Sequence, residues 1–114
     1  MKVCITGDLD WVNDIILRDY LDLFIHYKIN LTLFSTHESE LLKNNKNDLF
    51  EIGIHPNHNE SMINGKGDKS KNIISSLLKI YPDSKGVRSH SLTFSSGLLN
   101  NYKDLGLRYE SNYL

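Results

Sequence analysis

Leu49-Phe50-Glu51-Ile52-Gly53-Ile54-His55-Pro56-Asn57-His58-Asn59 begins as a mostly apolar run and then turns abruptly polar. The first part has the length and residue types of a buried strand, and the second opens a loop. Proline at 56 pushes the preceding residue toward extended geometry, so His55 stands at the carboxyl end of that strand. The same pattern recurs on both sides. Val3-Cys4-Ile5-Thr6, breaking at Gly7, precedes Asp8-Leu9-Asp10; Leu31-Thr32-Leu33-Phe34 precedes Ser35-Thr36-His37; Lys85-Gly86-Val87 precedes Arg88-Ser89-His90. Leu107-Arg108-Tyr109 begins a fifth run of this kind.

Helical periodicity fills the intervals. Val12, Ile15, Ile16, Tyr20, Phe24 and Tyr27 fall on one face, and Asp10 is placed to cap the segment through its side-chain oxygen. Glu38 to Lys46 reads as a short helix. Ile73, Ile74, Leu77, Leu78 and Tyr81 form a second apolar face, stopped by Pro82. Leu98, Leu99, Tyr102 and Leu105 form a third, with Ser95 or Ser96 at its start and Gly106 where a left-handed residue ends a helix. Between Asn57 and Ser70 lies a polar stretch without periodicity, read as a long loop that is either a flap over a site or a disordered insert. The order β-α-β-α-β-loop-α-β-α-β predicts an α/β fold with a parallel sheet covered by helices.

The chain has 114 residues, room for one domain spanning 1–114. At 39% hydrophobic and 24% charged its composition is that of a globular protein, and a net charge of -1 gives no electrostatic reason to expect nucleic acid or an anionic membrane as partner. No apolar stretch approaches the ~20 residues of a membrane span. No secretory signal pattern is visible after Met1, so the expected location is cytoplasmic. Cys4 is the single cysteine, which excludes an internal disulfide; its place in an apolar run predicts a small buried hydrophobe.

In parallel α/β folds the residues at the carboxyl ends of strands converge on one site. Asp8 and Asp10, His37, His55 and Arg88 all take that position. Individually a carboxylate there is a cap or a solvated turn, a histidine is polar surface, and an arginine is half of an ion pair. Together they make a hydrolytic site. Aspartates two apart in extended chain point the same way, so one can bind a metal while the other serves as a base. Carboxylate and imidazole suit a divalent ion such as Zn²⁺, which polarises a carbonyl and brings the pKa of water toward ~7. An arginine on a nearby strand can hold the base or grip an anionic group.

At these residues the chain resembles the NodB-homology polysaccharide deacetylases of carbohydrate esterase family 4. Thr6-Gly7-Asp8-Leu9-Asp10 resembles a T-x-D-x-D first motif, Glu51-Ile52-Gly53-Ile54-His55 the E-I-G-x-H that opens the second, and Gly86-Val87-Arg88 the G-[FV]-R of the third. Leu31-Thr32-Leu33-Phe34 resembles the family's apolar second strand. Gly53-Ile54-His55-Pro56-Asn57 and Arg88-Ser89-His90-Ser91 are similar to a subgroup of surface-polysaccharide and O-antigen biosynthesis, the WbmS-like deacetylases.

The resemblance implies a partial (β/α) barrel of about five parallel strands. It implies a metal-dependent hydrolase that removes an acyl group from an N-acylated sugar, nucleotide- or lipid-linked given the expected location. Asp8 is the implied general base, oriented by Arg88, and Asp10 and His55 are implied ligands of a divalent metal, Zn²⁺ above all. The family's second histidine ligand falls four residues after the first, where this chain has Asn59, a weaker ligand for which His58 or His37 can substitute. His37, His58 and His90 are the candidate substrate-binding residues.

The family's late L-x-H acid lies beyond these motifs, and its barrel takes roughly 200 residues. The expectation is therefore an incomplete domain with an open edge and an uncovered apolar face, prone to self-association. An alternative is a catalytically silent remnant that binds a glycan or a protein; a generic α/β domain whose strand-end residues only cap and turn is the third reading.

Overall fold

The computed structural model describes residues 3–60 and 68–113. Among the described residues five strands form one sheet in the order β1-β2-β3-β4-β5, every neighbouring pair parallel. They are β1 (Thr6–Leu9), β2 (Leu31–Ser35), β3 (Phe50–Ile54), β4 (Gly86–Val87) and β5 (Tyr109–Glu110). The connections carry α1 (Asp14–Tyr27), α2 (Glu40–Lys43), α3 (Asp68–Ile80) and α4 (Ser96–Asp104), with a 3₁₀ turn over His90–Leu92 after β4. Sequential parallel order with a uniform crossover hand puts the helices on one side of a curling sheet, which is the layout of part of a (β/α) barrel.

Partners across a parallel ladder share a face, which sorts the strands. Leu9, Leu31, Leu33, Phe50, Ile54 and Val87 point toward the helices and form one core with Leu17, Leu21, Ile74, Leu77, Leu98 and Tyr102. β2, paired on both edges, is buried throughout. The alternate residues Thr6, Asp8, Thr32, Phe34, Glu51, Gly53 and Tyr109 share the other face. The expectation of an apolar face is not met there: the face is mainly polar. Tyr109 Oη donates to Glu51 Oε1 at 2.9 Å, and Arg88 donates to Asp8 and Thr6. Phe34 is the apolar member, buried beneath the Arg88 guanidinium at 4.7 Å.

Three local expectations need correction. The first strand runs through Gly7 rather than breaking there, and the glycine leaves room for the Tyr20 hydroxyl, 2.9 Å from where a Cβ would lie. The cap of α1 is Asn13, whose Oδ1 accepts from Ile15 N and Ile16 N, so Asp10 stays free of the helix. Cys4, which precedes the strand, is exposed. Ser95 caps α4 as expected, and Gly106 follows that helix at φ 83°. Part of the long loop read between Asn57 and Ser70 lies outside the described residues, and α3 begins within the rest. Among the described residues no helix is long and apolar enough to cross a membrane.

Candidate active site

The polar tails of β1, β3 and β4 meet at one rim. Asp8, Asp10, His55, Arg88, Ser89 and His90 line a cavity of about 320 Å³, together with Ser91, Leu92, Ser111 and Asn112. Its volume lies at the small end of ligand pockets.

Asp8 is placed by arginine. Arg88 Nη1 donates to Asp8 Oδ1 at 2.9 Å and Nη2 to Thr6 Oγ1 at 2.9 Å. Arg88 Nε donates to the Ser111 carbonyl at 2.8 Å, and Nη2 also meets Ser111 Oγ at 2.8 Å. A guanidinium tied at this many points and stacked on Phe34 has little freedom left, so the carboxylate it holds is fixed too. Gly53 makes that stack feasible: a Cβ there falls 2.6 Å from the Phe34 ring and 2.9 Å from the Gly86 carbonyl.

Asp10, His55 and His90 each present a ligand atom, all within 4.8 Å of one another. Asp10 Oδ1 lies 2.9 Å from His90 Nδ1 and 3.4 Å from His55 Nε2. His55 Nδ1 faces the Arg88 carbonyl at 2.6 Å. A carbonyl only accepts, so the proton sits on Nδ1 and the Nε2 lone pair faces Asp10. A backbone carbonyl that fixes the tautomer behind a lone pair aimed into the site is the usual support of a metal-binding histidine. Burial lowers the His55 pKa, against the pull of Asp8, the Arg88 carbonyl and Asp10. The neutral imidazole is the form a metal needs. One carboxylate and two imidazoles fit a borderline divalent cation.

The other histidines are elsewhere. His37 Nε2 donates to the Val12 carbonyl at 2.8 Å and ties the β1–α1 connection to β2, outside the cavity lining. Asn59 is exposed and also outside the lining; the residue beside Asp10 and His55 is His90, which the sequence pattern alone assigns to substrate. His58 is fully buried behind the site, its Nε2 3.3 Å from Tyr102 Oη. Burial pushes its pKa down to about 4, so it is a neutral core group at physiological pH. Tyr102 Oη meets Ser89 Oγ at 2.5 Å, and Ser89 N donates to Asn112 Oδ1 at 2.8 Å. Ser89 is thereby clamped between Arg88, which holds Asp8, and His90, which lies against Asp10. Ser111 and Asn112 are absent from the sequence-based candidates, although they follow β5 as Arg88 follows β4; the strand-end rule extended one strand further finds them.

Comparison with known proteins identifies the family. The model of the WbmS-like polysaccharide deacetylases matches residues 5–114. Among solved structures, a crystal structure from Bordetella bronchiseptica described as a candidate polysaccharide deacetylase involved in O-antigen biosynthesis is 37% identical, with a TM-score of 0.87 over 95% of this chain. The match spans 45% of the length of that protein. Comparison with curated proteins gave no match. The motif residues, the parallel half-barrel that carries them and the family model over nearly the whole chain lead to one assignment: the chain belongs to the WbmS-like polysaccharide deacetylase family.

Proposed function

We propose that this chain carries the amide-hydrolysing site of a divalent-metal-dependent deacetylase, Zn²⁺ being the best-suited ion, which acts on an N-acylated sugar of surface-polysaccharide biosynthesis. The observation that supports it most is the division of labour between the two aspartates. Asp8 is held by Arg88, while Asp10 lies against His55 and His90.

Asp10, His55 Nε2 and His90 Nδ1 are the groups that would hold the cation. A divalent cation supplies Lewis acidity toward a carbonyl oxygen and lowers the pKa of water. Asp8 lines the same cavity and is the carboxylate free of that group, so it is the base that accepts a proton from the attacking water. Arg88 keeps Asp8 in one orientation, which removes the entropy of finding it. Hydrolysis breaks the amide C–N bond, gives the acyl carbon the oxygen of water and sends a proton to the departing nitrogen.

The test is release of acetate or formate from N-acetylated and N-formylated sugars with added Zn²⁺. The expected result is metal-dependent turnover that falls about 10²–10⁴-fold in Asp8→Asn. Absence of turnover, or turnover equal in Asp8→Asn, would contradict the proposal.

A further inference from the structure

Trp11 is the single tryptophan of the chain, and it is 57% exposed although it directly follows Asp10. Its φ is 52°, a left-handed conformation that bulky residues rarely adopt. Neighbouring bonds pin that backbone on both sides. Trp11 N donates to Thr36 Oγ1 at 3.0 Å, Thr36 Oγ1 donates to the Leu9 carbonyl at 2.9 Å, and His37 Nε2 donates to the Val12 carbonyl at 2.8 Å. The indole meets the His90 ring edge-on, with centroids 5.3 Å apart and planes at 69°. In the cavity lining Ser91 and Leu92 also have left-handed backbone, at φ 59° and 51°, and Leu92 is exposed and apolar.

A large apolar ring gains stability by turning into a core; here a strained backbone is over-determined by three hydrogen bonds and holds the ring outside. Such strain beside the cavity, at Trp11, and within its lining, at Ser91 and Leu92, points to a bound partner. The cavity is small and its lining mainly charged and polar, with Leu92 as the exposed apolar residue; the exposed indole stands beside it, against His90. A pyranose has matching chemistry: one face of C–H bonds, which seats on the electron-rich face of an indole, and a rim of hydroxyl and amide groups for polar partners. Ser91, Ser111 and Asn112 supply those partners in the lining.

We infer that Trp11 is the stacking platform for the sugar ring whose N-acyl group enters the cavity between Asp8 and His90. The inference rests on the deacetylase reading and adds the binding surface to it. His37 and Thr36 then serve as positioning residues, which hold Trp11 in place without touching substrate.

Being the single tryptophan, Trp11 reports on itself. Co²⁺, an open-shell ion, quenches indole emission at short range, so a cation beside His90 dims Trp11. The 114-residue chain is titrated with Co²⁺, then, loaded with Zn²⁺, with the methyl glycosides of N-acetylglucosamine, N-acetylgalactosamine and N-acetylmannosamine. Emission and saturation transfer from protein to the sugar C–H protons are read together. The expected result is an emission shift and strong transfer with at least one glycoside, binding about tenfold weaker in Trp11→Ala and nearly kept in Trp11→Phe. Co²⁺ quenching with no emission change from any of the glycosides, or equal sugar binding in Trp11→Ala, would overturn the inference while leaving the metal site standing. Emission changes with sugar but no Co²⁺ quenching would support the platform and count against the metal reading.

Discussion

Arg88 acts on both halves of the site at once: its backbone carbonyl accepts a hydrogen bond from His55 Nδ1 at 2.6 Å, and its guanidinium holds Asp8 at 2.9 Å. The first contact belongs to the main chain and survives any substitution that keeps the turn. The second belongs to a planar fork that lysine cannot reproduce. In Arg88→Lys we therefore expect Zn²⁺ affinity to be largely kept while turnover falls roughly 10–100-fold. Calorimetric titration with Zn²⁺ beside an acetate-release assay separates the two. Parallel loss of both would mean that the side chain also builds the ligand group.

The glycine beneath Phe34 is the second point of leverage. A methyl group on Gly53 falls 2.6 Å from the Phe34 ring and 2.9 Å from the Gly86 carbonyl, and the latter is backbone that cannot swing away. Gly53→Ala should cost about 1–3 kcal/mol by overpacking. Gly97 is the control: it lies in α4, and a Cβ there meets Ser95 Oγ at 3.8 Å. Gly97→Ala should stabilise by about 0.4–1 kcal/mol by restricting the unfolded chain. Urea denaturation reads both as shifts of midpoint in opposite directions at unchanged slope.

His58 predicts a specific acid sensitivity. Its pKa falls from 6.5 in the unfolded chain to about 4 in the fold, because burial opposes the charged form. Above pH 6.5 both states are neutral and the group adds no pH dependence. Between pH 6.5 and 4 the unfolded chain takes up a proton that the folded chain refuses, so stability drops as pH falls, by roughly 3 kcal/mol over the whole window. Below pH 4 the dependence levels off. In His58→Gln this slope should disappear, whatever the stability at pH 7. Denaturation of both proteins at pH 7 and pH 4.5 checks it, and equal slopes would contradict it.

The strands and helices are legible in the sequence because burial leaves a periodic record. Phe50–Ile54 is apolar where β3 is covered, and the helices show their faces. Asp8, Asp10, His55 and Arg88 are legible as a group because they follow or end strands. His90 is harder to place, because a search for another ligand four residues beyond His55 arrives at Asn59 and leaves His90 to substrate. The structure brings His90 to Asp10 from the turn after β4, 80 residues away in sequence, through a backbone that carries left-handed residues at Ser91 and Leu92. No local pattern signals that turn. Asp10 resembles a helix cap for the converse reason: Asn13 competes for the same role, and the choice is made by where β1 ends, beyond the apolar run that marks it in sequence. The polar sheet face is hidden from the sequence because the alternation within the strands places Thr6, Thr32, Glu51 and Tyr109 together only once the register is known.

The central claim is that Asp10, His55 and His90 hold a divalent metal while Asp8 stays free of it. Crystals grown with Zn²⁺ and measured on both sides of its absorption edge test this most directly. The account predicts an anomalous peak at about 2.0–2.2 Å from an Asp10 oxygen, His55 Nε2 and His90 Nδ1, with Asp8 still on Arg88, and loss of the peak in His90→Ala but not in Asn59→Ala. A peak that involves Asn59 in place of His90, or no peak at this rim with Zn²⁺ in excess, would contradict it.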